Sequence, residues 1–223
     1  MELKVYKTDG SESTRTVQLN DDIFDGNIIN DHAIWLGVKQ YLANQRQGTH
    51  DTLEKSTISG STRKLKKQKG TGGARAGSIK SPTIRGGATV FGPHPRDYSF
   101  KLNKKIKRLA RFSAISYKAK EGKIMVVEDF AFDAPKTRAY LSVLKNLNLD
   151  TQKTLLLVNE SNSNVYLSSR NLQRAKVLRV CDVNTYDVLN AQSLIICENS
   201  VVDFEKMLAD ISDKCKCLKV TKI

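Results

Sequence analysis

The chain has 223 residues, with 37 Lys and Arg against 23 Asp and Glu and a formal net charge of +14. Apolar residues make up 39% of it and aromatic residues 7%, so a modest core can form and disorder along the whole chain is excluded. No run approaches the roughly 18 apolar residues of a membrane span, which excludes a transmembrane role.

The N-terminal part predicts two short strands and a helix. The strands are Glu2–Lys7 and Thr14–Leu19, with a turn at Asp9-Gly10 between them. The helix starts at Asn30, because apolar residues recur at helical spacing from there on, and we place its Trp35 in the core or on the flank without a function. The first residues alternate polar and apolar side chains, so we predict no signal peptide.

The excess charge lies in one segment. Residues 44–111 hold 17 Lys and Arg against Asp51, Glu54 and Asp97, while the rest of the chain has 20 basic and 20 acidic residues. The segment also holds 9 of the 13 glycines and 3 of the 4 prolines, and it shows no sustained helical or strand period before Tyr98. We predict that residues 44–96 form a long extended basic loop ordered by an external polyanion. The alternative, a solvated or flexible charge run, fits an internal segment with Gly clusters and Pro turns less well.

Downstream, the pattern predicts a helix from Leu102 that stops at Gly122, with an apolar face and a cationic face. Short apolar runs then alternate with helical segments. Strands are predicted at Ile124–Glu128, Thr154–Val158, Val177–Val180 and Leu194–Cys197, and helices at Pro135–Leu147, Asn164–Leu172, Thr185–Asn190 and from Ser200 to Leu208, the last opened by a capping box of Ser200 and Asp203. The predicted fold class is α/β: residues 1–43 and 97–223 form an open, mostly parallel sheet flanked by helices, with Rossmann-like topology.

The sequence contains no recognisable active site. The turn Asp129–Asp133 has no glycine to approach a pyrophosphate, and Gly70-Thr71-Gly72-Gly73 matches neither common nucleotide-binding pattern. A nucleotide-dependent enzyme on the α/β domain is therefore the weakest of the hypotheses. We predict a protein that is not an enzyme, with no cofactor and no small-molecule substrate.

The histidines and cysteines predict no metal site either. His32, His50 and His94 are far apart, and Cys215-x-Cys217 has no second pair to complete four ligands. His94, between two prolines, is interpreted as a turn or RNA-contact residue. Cys181 and Cys197 are expected in the core, and the four cysteines indicate reduced thiols in an intracellular protein.

The basic loop is suited to phosphate. Residues 68–80 combine guanidinium and ammonium groups with glycines that let the main chain approach a crowded surface. The loop has few aromatic residues, Phe91 and Tyr98, so base stacking is expected to be a minor contribution. Folded RNA, recognised by its shape and backbone, fits this composition better than DNA.

Several motifs carry a resemblance to a known family. They are Arg46-Gln47-Gly48-Thr49, Lys67-Gln68-Lys69-Gly70-Thr71-Gly72, the run Ala74 to Pro82, Asn103-Lys104-Lys105, Ala134-Pro135-Lys136-Thr137 and Ser169-Arg170-Asn171-Leu172. Over nearly its whole length the chain resembles the bacterial form of the universal large-subunit ribosomal protein four family. The resemblance implies a structural constituent of the large subunit in the cytoplasm that binds 23S ribosomal RNA and acts early in assembly.

The resemblance also implies a place for the loop. Its tip is expected to line the nascent-peptide exit tunnel, beside a neighbouring ribosomal protein and in reach of the passing peptide. Lys69 and Gly72 match tip positions associated with macrolide resistance. The chain departs from many bacterial relatives at Lys66, where they carry an aromatic residue, and at Gly73, where they carry Arg. An alternative or additional role is an RNA-binding regulator of its own messenger or of transcription.

The residues expected to contact ribosomal RNA are polar, basic or glycine residues of the loop and of the helix after it. They are Arg46, Gln47, Thr49, Arg63, Lys64, Lys66, Lys67, Gln68, Lys69, Gly70, Thr71, Gly72, Arg75, Ser78, Lys80, Arg85, Arg96, Lys104, Lys105 and Arg108.

Overall fold

A computed structural model of the chain describes residues 2–20, 29–159 and 162–208. The chain divides into two units: Met1–Leu42 with Lys101–Ile223, called the α/β unit below, and Ala43–Phe100, called the loop unit. Residues 44–96 lie inside the loop unit. In the described part of the chain, no helix has both the length and the apolar character needed to cross a membrane.

The α/β unit is built on a sheet in which the described residues form six strands. The strands are β1 (Glu2–Tyr6), β2 (Glu12–Gln18), β3 (Ile124–Val127), β4 (Thr154–Val158), β5 (Ala175–Arg179) and β6 (Ser193–Cys197). Their order across the sheet is β2-β1-β3-β6-β4-β5; β1 and β2 run antiparallel, and every other neighbouring pair is parallel. The predicted fold class, an open and mostly parallel sheet flanked by helices, is confirmed.

Six helices accompany the sheet in the described residues. They are α1 (Asp31–Asn44), α2 (Lys104–Lys120), α3 (Thr137–Asn146), α4 (Ser163–Ser169), α5 (Thr185–Asn190) and α6 (residues 200–208). Asn184 caps α5, its side-chain oxygen accepting the Asp187 N–H at 2.8 Å. The predicted capping box on α6 is wrong. Ser200 lies inside that helix with a buried hydroxyl that has no hydrogen-bond partner among the described residues, and Asp203 pairs with Lys206 instead, at 3.2 Å.

The core lies on both faces of the sheet. Successive strand residues alternate between two buried clusters, so that Val126 belongs to one cluster and Val127 to the other. Helices α2, α5 and α6 contribute to the first cluster, and α3 and α4 to the second. Burial on both faces explains why these strands are continuous apolar runs, because a parallel sheet covered by helices has no solvent face. Removal of each large apolar side chain from water contributes about 1.5–3 kcal/mol.

The exposure of three single residues decides the expectations made for them. Trp35 lies at the surface with 53% of its area exposed, where its ring stacks on His32 at 5.8 Å between ring centroids. Cys181 is exposed in the turn Val180–Asp182, which begins where β5 ends, so its predicted core position is wrong. Cys197 is buried as expected, and burial raises the pKa of its thiol to about 12. The predicted motif Cys215-x-Cys217 lies outside the described residues.

Candidate nucleic-acid interface

The loop unit consists of two arms that run side by side and a tip between them. The arms are residues 46–65 and 77–98, and the tip is residues 66–76. Main-chain hydrogen bonds join the arms: the Thr89 N–H donates to the Leu53 carbonyl at 3.0 Å, and an isolated β-bridge pairs Lys64 with Ser78. The arms therefore hold a defined register without forming regular strands.

Apolar burial contributes little to this unit. Among its residues, Ala88 is the one apolar side chain that is buried, with 6% of its area exposed. Leu53, Leu65 and Ile79 remain about half exposed. Close approach of the main chains replaces a core. Gly48 has φ +66, and a Cβ on it would lie 2.1 Å from the Arg96 carbonyl oxygen. Only glycine lets the arms meet there.

The carboxylates of residues 44–111 are all engaged within the loop unit. His94 contacts Asp51 at 3.3 Å through Nδ1 and Glu54 at 2.9 Å through Nε2. Asp97 accepts hydrogen bonds from the Ser99 N–H and hydroxyl, both at 2.8 Å, and these bonds hold the pKa of Asp97 below its ordinary value. Among the residues that the structure describes, no Lys or Arg of 44–111 forms an ion pair with a carboxylate. Its 17 cations thus have no counterion in the described chain.

Five of the predicted contact residues line one open cleft in the loop unit. These are Arg63, Lys64, Lys66, Lys67 and Lys80, and the cleft has no acidic residue in its lining. The Lys64 ammonium donates to the Gln68 side-chain oxygen. A concave surface lined by cations concentrates positive electrostatic potential inside it and so attracts an anion. The cleft is suited to a phosphate backbone.

A second basic group forms around Tyr98, where the arms begin. The guanidinium carbons of Arg46 and Arg96 lie 3.8 and 4.5 Å from the centroid of the Tyr98 ring. The Tyr98 hydroxyl lies 3.2 Å from Nε2 of His50. Cation–π contacts restrict both guanidiniums, which leaves their N–H groups oriented for a ligand before it binds.

The α/β unit contributes cations at the start of α2. Lys104, Lys105 and Arg108 lie in its first two turns, without any acidic residue in the first turn. Asn103 precedes the helix and makes no side-chain capping bond. Cations at a helix N-terminus are unfavourable, because the helix dipole is positive there. An external anion would offset this repulsion and accept the free N–H groups.

Comparison with known proteins identifies the family. The family model described as the ribosomal protein L4/L1 family matches residues 17–207. The chain belongs to the ribosomal protein L4/L1 family. Relatives named "Large ribosomal subunit protein uL4" are similar over most of their length: that of Phocaeicola vulgatus is 56% identical over 209 residues, 94% of this chain and 100% of the relative. Those of Parabacteroides distasonis and Flavobacterium johnsoniae are 57% and 54% identical, covering 92% and 94% of this chain and 98% and 100% of the relative.

Membership of the L4/L1 family confirms the resemblance found in the motifs. The chain is a structural protein of the large ribosomal subunit and not an enzyme, and it is located in the ribosome in the bacterial cytoplasm. Ribosomal RNA and other ribosomal proteins are the partners that this membership implies.

The remaining predicted contact residues are dispersed over the loop unit. Ser78 donates to the Ser61 carbonyl at 2.9 Å and so helps to close the arms. The others are exposed on the first arm, at the tip or in the turn after Lys80: Gln47, Thr49, Lys69, Gly70, Thr71, Gly72, Arg75 and Arg85. Lys66 and Gly73, the two positions expected to differ from many bacterial relatives, meet at the tip, where a Cβ on Gly73 would lie 3.3 Å from the Lys66 ammonium. Gly73 therefore leaves room for that ammonium.

Sequence reasoning missed the residues that organise the loop unit. Tyr98 was expected only as a minor stacking residue, and His50 and the two carboxylates on His94 had no expected role. One signal was available: an aromatic residue follows Arg96 in a segment that is otherwise poor in aromatics. The second arginine on the Tyr98 ring, Arg46, lies 50 residues before Arg96, so spacing in the sequence does not connect it with Tyr98.

Proposed function

We propose that this large-subunit protein binds ribosomal RNA through the loop unit and the first turns of α2. One observation carries the proposal: the 17 Lys and Arg of residues 44–111 lack a carboxylate partner in the described chain, while the few carboxylates nearby are held by His94 and Ser99. Uncompensated like charges on a unit with almost no core repel one another, and a polyanion removes this repulsion.

We further propose that the protein joins the subunit early in assembly. Each arm has about 20 residues and can reach at most roughly 65 Å at about 3.3 Å per residue. A segment of that length whose basic residues are nearly all exposed is suited to being enclosed by RNA. It has to be in place before the surrounding RNA closes, so late addition of the protein to a reconstitution should lower the yield of complete subunits.

A tip deletion tests the RNA-binding proposal. A Cβ on Gly60 would lie 3.4 Å from Cγ2 of Ile79, so the arms are close enough there for residues 61–78 to be replaced by a short Gly-Ser linker. The shortened chain should keep the circular dichroism of the α/β unit but lose binding to transcribed large-subunit RNA in filter binding and incorporation into large subunits. Normal incorporation of the shortened chain would contradict the proposal.

A matched variant separates charge from length. Six cations lie in residues 61–78: Arg63, Lys64, Lys66, Lys67, Lys69 and Arg75. Replacing all six by Gln keeps the arms and the tip at full length. If phosphate contacts carry binding, this variant should bind as weakly as the deletion and with a flatter salt dependence. Full affinity of the Gln variant would show that shape, and not charge, carries binding.

The proposed place of the tip is the wall of the nascent-peptide exit tunnel, beside a neighbouring ribosomal protein. Lys69 and Gly72 are exposed at the bend, and Gly72 has φ +64 with no atom within 4 Å of a Cβ position. If the tip lines the tunnel, Lys69→Glu should change the macrolide susceptibility of ribosomes. Because Lys69 is exposed, the substitution should not unfold the protein. Lys145→Glu, the same charge reversal at an exposed position of the α/β unit, is the control. Equal susceptibility of wild type and Lys69→Glu would refute the tunnel position.

A further inference from the structure

Phe91 is the most exposed large apolar side chain in the described part of the chain. Its relative exposure is 101%, against 47–61% for the exposed apolar residues Leu53, Leu65, Ile79 and Val90 of the same unit. Its backbone has φ +55, a left-handed conformation that side chains with a Cβ rarely adopt. Strain and full exposure together disfavour this arrangement in the free chain, and they indicate a function in binding.

The turn that carries Phe91 is fixed on both sides. Before it, the Thr89 N–H donates to the Leu53 carbonyl at 3.0 Å. After it, the Thr52 hydroxyl donates to the Pro93 carbonyl at 3.3 Å. Gly92 permits this contact, because a Cβ there would lie 2.1 Å from the Thr52 hydroxyl oxygen. The phenyl ring is therefore presented from a preorganised turn.

The contacts of His94 fix the same turn further along the chain. Its two ring nitrogens contact Asp51 and Glu54, which lie on either side of Thr52 and Leu53 in the first arm. Glu54, which His94 contacts, also lines the shallow groove next to Phe91. Lys55, in the shallow groove next to Phe91, stays without a carboxylate partner in the described residues. The Lys55 ammonium is thus available to a phosphate next to the Phe91 ring.

We propose that Phe91 stacks on an unpaired base of the large-subunit ribosomal RNA. This inference rests on the proposed function, since it assigns one kind of contact within the same RNA complex. A ring that is exposed on both faces offers a stacking surface, and an RNA that places phosphates on the surrounding cations brings bases with them. The composition alone had suggested that stacking contributes little; the geometry of Phe91 points to one specific stacking contact.

Substitutions at Phe91 in the full chain separate stacking from simple apolar contact. Base stacking is worth about 1–3 kcal/mol per base, so Phe91→Ala should weaken binding to transcribed large-subunit RNA about 5- to 150-fold. Phe91→Trp should retain binding because it keeps an aromatic face. Phe91→Leu should bind as weakly as Phe91→Ala, since it keeps apolar volume without a π face. Val90→Ala, next to it in the same turn, is the control and should bind like wild type.

The salt dependence distinguishes this proposal from phosphate binding. The slope of log affinity against log salt should be the same for wild type and Phe91→Ala, because no charge is removed. If wild type binds and Phe91→Ala binds equally well, stacking is refuted while the proposed function stands. If wild type itself fails to bind the RNA, the proposed function fails.

Photocrosslinking identifies the partner of the ring directly. A benzoyl-phenylalanine at position 91 of the full chain, assembled into large subunits, should crosslink to ribosomal RNA at a nucleotide that is unpaired. Crosslinking to a neighbouring ribosomal protein would overturn the proposal and assign the ring to an apolar pocket on that protein. Wild-type RNA affinity of Phe91→Leu would overturn it as well, because leucine has no aromatic face.

Discussion

The α/β unit and the loop unit reach a defined structure by different means. In the α/β unit, two apolar clusters cover the sheet, and side chains such as Leu157 and Phe204 are fully buried. In the loop unit, Ala88 is the one buried apolar side chain, and main-chain hydrogen bonds between the arms replace packing. Burial supplies most of the free energy that offsets chain entropy, so the loop unit depends far more on what binds it.

Charge separates the two units as well. In the α/β unit, Lys176 pairs with the buried Asp187 at 2.6 Å, and Arg15 bridges Glu128 and Glu198. The cations of the loop unit have no such partner in the described chain. The ion pairs of the α/β unit thus stabilise the protein's own structure, whereas the cations of the loop unit stay available to a ligand.

The largest difference is expected when the same substitution is made in each unit. Leu157→Ala removes a side chain with no exposed area, and should lower the free energy of unfolding by about 2–5 kcal/mol. Leu65→Ala shortens a side chain that is 48% exposed, and should change the free energy of unfolding by less than about 0.5 kcal/mol. Urea unfolding followed by circular dichroism measures both. A similar loss for the two variants would mean that the loop unit has a core of its own.

A smaller but still large effect is expected from removing charge. Arg63, Lys64 and Lys67 line the cleft. Their joint replacement by Gln should reduce the slope of log affinity against log salt by about 2–3 and weaken RNA binding about 100-fold at 0.1 M salt. The control replaces three exposed cations of the α/β unit that form no ion pair in the described residues, Lys120, Arg138 and Lys145, by Gln. Filter binding over a salt series measures both slopes, and equal slopes would contradict the division of charge between the units.

The sequence predicts the α/β unit well because burial leaves a pattern. The limits of β4 and α5 are the predicted ones, Thr154–Val158 and Thr185–Asn190, since apolar runs and capping asparagines are local signals. Cys181 was misplaced because a turn begins right after β5, and no pattern marks where a buried strand stops. These errors concern element ends, which depend on tertiary contacts.

The loop unit is predictable in its charge but not in its geometry. Counting Lys and Arg finds the segment, yet the register of the arms depends on single contacts such as the Gly48 carbonyl with the Arg96 N–H, which lie 48 residues apart. No period or apolar pattern marks such a pair. His94 was expected in a turn, but its contacts with Asp51 and Glu54, and those of Tyr98 with the two arginines, emerge only from the structure.

Two glycine substitutions test how the arms are held. In Gly48→Ala the new Cβ clashes with the Arg96 carbonyl oxygen, and the left-handed backbone is strained as well. The free energy needed to separate the two arms locally should therefore fall by about 1–2 kcal/mol or more. Gly86→Ala carries the backbone cost alone, because no atom lies within 4 Å of its Cβ position. Hydrogen exchange of the Arg96 amide, which donates to the Gly48 carbonyl at 3.1 Å, reports the opening. Unchanged protection in Gly48→Ala would show that the arms are not joined there.

The smallest effect is expected at Tyr98, where no charge is removed at all. Each exposed cation–π contact is worth about 0.5–1 kcal/mol, so Tyr98→Ala should release Arg46 and Arg96 and weaken RNA binding about 5- to 30-fold when both contacts are lost. The salt slope should stay the same, because both guanidiniums remain. Tyr98→Phe keeps the ring and should bind like wild type. If Tyr98→Phe binds as weakly as Tyr98→Ala, the hydroxyl contact with His50, and not the ring, holds this end of the arms. That result would contradict the interpretation that the Tyr98 ring orients the two guanidiniums before RNA binds.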